Sequence, residues 1–262
     1  MKPLASGIGL LLLVASSAVW SATPGMLNAE IPATGITSLK LTAGSGQIRL
    51  GPSSDDAIHV QLDMRQSERS FLGLYHWMSG TTTHDLQAAE IRQDRQGQSL
   101  ALSLVYPSGA SHSDVKQQWT ITLPARLRVV ASAEAGQLVI NGIQGGVNAR
   151  LNYGDLTIHS PGGPLQAHVR TGRLHVISGD ARPGVIKVAS TFGLAIMSLN
   201  GKYYGPPERH GFMSNVHLFG NSLQEQAGGM DNMQFSVFAG MVDVRFGAQG
   251  DEKEYRNVFS GD

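Results

Sequence analysis

Apolar and polar residues alternate at period two along most of this chain, and glycines punctuate the alternation. Before Gly154 the apolar positions are Val147, Ala149 and Leu151. Before Gly172 they are Leu165, Ala167 and Val169, and before Gly240 they are Met233, Phe235 and Val237. After each glycine they fall two and four residues on: Leu156 and Ile158, Leu174 and Val176, Val242 and Val244. The parity therefore flips once, at the glycine. In an unbroken strand such a flip would turn one set of side chains outward. The pattern predicts strands that bend or bulge at a residue able to take unusual backbone angles.

The punctuation is periodic. Ala-Gly-Gln-Leu-Val-Ile at 135–140, Tyr-Gly-Asp-Leu-Thr-Ile at 153–158 and Thr-Gly-Arg-Leu-His-Val at 171–176 recur every 18 residues. Looser copies surround Gly46, Gly193 and Gly240. Gly- and Pro-rich segments at 141–146, 160–164 and 178–184 close the units. Each unit thus holds two short strands and two bends, one coil of a stacked repeat. The expected fold is all-β: a single-domain β-solenoid over 23–247, with Leu138, Leu156 and Leu174 in one interior ladder. Ile140, Ile158 and Val176 form the next. Gly46, Gly136, Gly154, Gly172, Gly193 and Gly240 are its structural turns. The rival is an antiparallel meander or sandwich with a hairpin at each glycine, which leaves long edges to cover. An irregular insertion is expected at 66–118, with a short helix candidate at Asp85–Gln93, and a polar tail or cap at 248–262. Coils are expected to resume at His217–Phe219 and Met233–Val244.

The segment Trp119–Val130, a strand ending in Leu-Pro and then Leu-x-Val, leads into Ala135-Gly-Gln-Leu-Val-Ile. With the Gly-x-Leu-x-Ile repeats it resembles the bacterial putative-adhesin family, an adhesin-like domain of unknown function. The resemblance covers about residues 36–247. It implies an exported or cell-envelope β-solenoid, with no catalytic residues to carry over. The long insertion at 66–118 departs from it.

The ends and the composition narrow the setting. Lys2, then an apolar run from Gly7 to Trp20 followed by small residues, reads as a signal peptide over 1–22, cleaved within 18–22. No second long apolar segment follows, so no transmembrane anchor is expected after cleavage. There are no cysteines, which excludes disulfides, thiolate metal sites and a lipidated cysteine. Lys+Arg and Asp+Glu are both 20, and no basic run stands out along the chain, so no nucleic-acid partner is expected.

Candidate chemistry is sparse. Ser113-x-x-Lys116 lacks the companion motifs of serine acylases and reads as chance. His76, His84, Asp85 and His112 share the insertion without a ligand spacing, so neither a metal nor another cofactor is expected. Asp155, Arg173 and His175 stand outward on adjacent units. They suit an acid–base cluster of a polysaccharide lyase or hydrolase, or a plain cross-strand charge pair. Phe71, Leu74, Tyr75 and Trp77 form an apolar patch, with Tyr203 and Tyr204 a smaller one. Such patches either cap a stack or bind. The expected function is an exported, non-enzymatic adhesin-like or scaffold module of the bacterial envelope, in the periplasm or at the cell surface, binding an envelope protein or surface glycan. The alternatives are a carbohydrate-active enzyme on the same scaffold and a periplasmic regulatory or sensor module.

Overall fold

The glycine-centred alternation becomes six parallel strands lying side by side. The computed structural model describes residues 19–23, 26–66, 88–106, 115–178, 185–199, 208–210, 214–219 and 233–246. The parallel strands are β3 (Ser38–Pro52), β8 (Arg128–Asn141), β9 (Val147–His159), β10 (Leu165–Ile177), β11 (Ile186–Leu199) and β14 (Met233–Phe246). Their register sets Gly46, Gly136, Gly154, Gly172, Gly193 and Gly240 next to one another. Leu138, Leu156 and Leu174 pair in register and are buried, as are Ile140, Ile158 and Val176.

These strands fold over at the glycine. A straight 13-residue strand such as β9 would run about 40 Å at roughly 3.3 Å per residue. Yet Leu165, the first residue of β10, pairs with Val147, the first of β9. The six links from His159 to Leu165 span at most about 22 Å, so the two ends of β9 must approach each other. The bend lets both arms bury a face. Val147, Ala149 and Leu151 point inward from the first arm, Leu156 and Ile158 from the second. Ile143 and Pro161, in the connections, are buried too. The connections also bond to one another: Gly162 N–H donates to the Ile143 carbonyl at 2.9 Å, and Ser160 N–H to that of Ile177 at 2.7 Å.

Eight further strands extend the block: β1 (Val19–Thr23), β2 (Met26–Pro32), β4 (Ala57–Gln66), β5 (Glu90–Gln96), β6 (Ser99–Val105), β7 (Val115–Leu123), β12 (Glu208–His210) and β13 (Ser214–Phe219). Beyond β3 the two arms acquire separate neighbours. Ser38–Thr42 pairs with β6, whose antiparallel partner is β5. Gly46–Pro52 pairs with β7, and β4, β2 and β1 follow antiparallel. At the other end β12 and β13 run parallel to the first and second arms of β14.

Where the glycine row ends, Gln117 takes the next place. It is 7% exposed. Its Oε1 accepts from Gly44 N–H at 3.0 Å and from Trp119 Nε1–H at 2.9 Å. Trp119 is wholly buried. Pro124, which cannot donate to a ladder, follows the end of β7, and a turn closed by Leu127 N–H on the Pro124 carbonyl leads into β8.

Several expectations need correction. The chain is all-β, but the fourteen strands among the described residues form one mixed sheet instead of uniform coils. The 18-residue spacing holds from Gly136 to Gly172 only; 90 residues separate Gly46 from Gly136, because an antiparallel extension occupies the interval. The segment 66–118 holds β5, β6 and the start of β7. No helix occurs among the described residues. Helical propensity over so short a stretch yields to pairing: Gly97, at φ 61°, turns the chain so that Ile91 and Leu102 enter the core.

Candidate binding surface

The residues just before the glycines sit on the outside of the bend. Tyr153, Thr171 and Phe192 occupy matching positions on β9, β10 and β11. Phe238 stands one residue earlier on β14. Tyr153, Phe192 and Phe238 are 46%, 48% and 55% exposed. The Phe192 and Phe238 rings meet edge to face, with centroids 5.8 Å apart and planes at 79°. The Arg170 guanidinium lies 5.9 Å from the Tyr153 ring centroid, within cation–π reach. Met241, just past Gly240, is exposed too. The result is an aromatic ridge along the line of bends.

The outer wall of the first arms adjoins this ridge. A groove of about 360 Å³ runs across β9, β10, β11 and β14, lined chiefly by Asn148, Arg150, Gln166, His168, Lys187 and Gln234. Asn152 Nδ2 donates to Glu134 Oε2 at 2.7 Å, tying β9 to β8. His168 is half-buried here, with Nε2 3.4 Å from Thr191 Oγ1. Burial, and after it the charge of Arg150, hold its pKa below the ordinary imidazole value. An unfolded chain then takes up the proton first as pH falls, so native stability declines as pH drops through the ordinary histidine range. In thermal melts between about pH 7.5 and 5.5, His168→Gln should lose part of the acid sensitivity of the parent. Parallel curves for the two proteins would contradict this.

On the second arms, Arg173 Nε donates to Asp155 Oδ1 at 3.0 Å across adjacent strands, both side chains about half exposed. His175 lies in the next outward position, in register with Thr157. Of the two readings of Asp155, Arg173 and His175, the observed contact is the cross-strand charge pair. At the antiparallel end a groove of about 480 Å³ is lined by Asn28, Glu30, His59, Gln61, Thr120 and Thr122 among others. There Asp55 accepts a hydrogen bond from His59 Nε2 at 2.9 Å, which holds its carboxyl below the usual range.

Phe71, Leu74, Tyr75, Trp77, Tyr203 and Tyr204 lie outside the described residues, as do His76, His84, Asp85, His112 and Ser113. Among the described residues no three His, Cys, Asp or Glu side chains are grouped to hold a metal ion. No helix there is long and apolar enough to cross a membrane. Sequence reasoning did not find the aromatic ridge. Its signal was the aromatic residue before Gly154 and Gly193, taken there as part of a turn motif.

No family model matches the chain, and no curated protein matches it. Two solved structures align with it. A "putative cell adhesion protein" from Clostridium sporogenes is 14% identical with a TM-score of 0.48, over 86% of this chain and 100% of its own. A "putative adhesin" from Bacteroides fragilis is 14% identical with a TM-score of 0.32, over 86% of this chain and 98% of its own.

Proposed function

We propose that this chain is an exported, non-enzymatic adhesin-like module of the bacterial cell envelope, and that its parallel block winds as a β-solenoid presenting the aromatic ridge to a partner. The ridge carries the reading. Tyr153, Phe192 and Phe238 come from three separate strands, are aligned by the stack, and expose rings that core packing does not use. Exposed apolar groups in a row on an otherwise polar wall are the usual anchors of recognition. The winding is supported by the end-to-end approach within β9 and by the bonded connections. Export is supported by the apolar run from Gly7 to Trp20.

The non-enzymatic reading is supported by the partner of Asp155. A glycosidase needs two carboxyl groups facing one sugar, and here Arg173 occupies the position beside that carboxylate.

Binding of the labelled mature chain to intact bacterial cells tests the function. A Tyr153→Ser, Phe192→Ser, Phe238→Ser variant should retain its β circular dichroism and bind at least about tenfold more weakly, as loss of anchor residues does. Undiminished binding would reject the ridge. Fractionation of the full-length tagged chain tests export, and retention in the cytoplasm would reject it.

A further inference from the structure

The first arms of β9, β10, β11 and β14 carry charge of one sign. Val147–Tyr153, Leu165–Thr171, Ile186–Phe192 and Met233–Ala239 contain no Asp or Glu. They contain Arg150, Arg170 and Lys187, all exposed, with His168 between. Carboxylates stand at the flanks of these strands: Glu134 of β8 accepts a hydrogen bond from Asn152, and Glu208 of β12 is in register with Gln234. The whole chain has equal numbers of acidic and basic residues, so this is a local segregation of charge that the stack creates.

The cations are also spaced. Arg150, Arg170 and Lys187 come from β9, β10 and β11, one from each successive strand. They stand four, two and six residues before the aligned glycines, so they are staggered along the strands as well as across them. A nucleic-acid duplex carries one charge per roughly 1.7 Å, far denser than one cation per strand. The groove between the cations is lined by amides, Asn148, Gln166 and Gln234, which suit hydroxyl groups. Along its border run the aromatic rings, whose faces take the apolar side of a sugar.

We infer that this wall is a binding track for an acidic polysaccharide, a chain of uronate-type sugars laid across the strands. The guanidinium groups of Arg150 and Arg170 and the ammonium group of Lys187 meet carboxylates of that chain, and the ridge holds the ring faces. The inference rests on the adhesin-like reading and gives it a ligand class.

Affinity electrophoresis and titration calorimetry of the mature chain with polygalacturonate test it, with neutral dextran and a single-stranded DNA oligomer as comparators. Polygalacturonate should bind, more weakly as NaCl is added, and dextran should not. The Arg150→Gln, Arg170→Gln, Lys187→Gln variant should lose at least about tenfold in affinity, since charged contacts carry such binding, with its melting temperature unchanged. Arg170→Gln alone, at an exposed site, gives the same direction should the triple variant fold poorly. Full binding by these variants would overturn the inference. Tighter binding of DNA than of polygalacturonate would overturn it in favour of nucleic acid. Loss of all polyanion binding alongside intact binding to cells would overturn the ligand class and leave the adhesin-like reading standing.

Discussion

Gly154→Val should destabilise the protein by about 4 kcal/mol, among the largest effects of any single substitution. Gly154 has φ +127°, and a Cβ placed on it would lie 2.0 Å from the carbonyl oxygen of Gly136. That backbone conformation alone costs a side chain about 1–3 kcal/mol. The carbonyl cannot yield freely, because Gly136 is held by the same constraint against Gly46: a Cβ there would come within 1.9 Å of the Gly46 oxygen. Separating two strands to relieve the overlap loosens ladder hydrogen bonds worth about 0.5–1.5 kcal/mol each. Thr157→Ser, three residues on and outward, should cost less than about 1 kcal/mol. Urea unfolding of the two variants checks the difference. A Gly154→Val protein within about 1 kcal/mol of the parent would mean that the bend is not built on glycine.

Trp119→Ala should cost about 3–5 kcal/mol, the range for emptying the site of a buried aromatic ring. Among the described residues Trp119 is the largest fully buried side chain. Its Nε1–H also holds Gln117 Oε1, the same atom that accepts from Gly44 N–H. Trp119→Phe keeps most of the ring and removes only the donor, so it separates packing from hydrogen bonding. It should cost about 1–2 kcal/mol, the order of one buried hydrogen bond plus a small void. A double-mutant cycle with Gln117→Leu should show coupling of at least about 0.5 kcal/mol. Additive effects would mean that Gln117 does not orient the ring.

Much of the parallel block was legible in the sequence because its physics is local. Inward side chains must be apolar and a sheet strand has a period of two, so Val147, Ala149, Leu151, Leu156 and Ile158 mark both arms. The parity flip at Gly154 locates the bend between them. The antiparallel end was not legible. Ser38–Pro52 looks like one more copy of the unit, and nothing within it says that its two halves face β6 and β7. Those partners follow no repeat, so the insertion read as irregular. The ridge was hidden for a different reason. Alternation counted from the first arm turns Tyr153 and Phe192 inward; counted from the second, outward; only the bend decides. The charged wall was harder still. Arg150, Arg170 and Lys187 stand four, two and six residues before their glycines. No motif links them, and only the register gathers them on one surface.

The residue-for-residue match of β9 to β10 has an evolutionary consequence. A tandem duplication of residues 147–164 would meet the same neighbours above and below that the original meets, so the extra copy fits without redesign. Length is then a matter of copy number: one duplication lengthens the molecule by a single strand width and leaves both termini as they were.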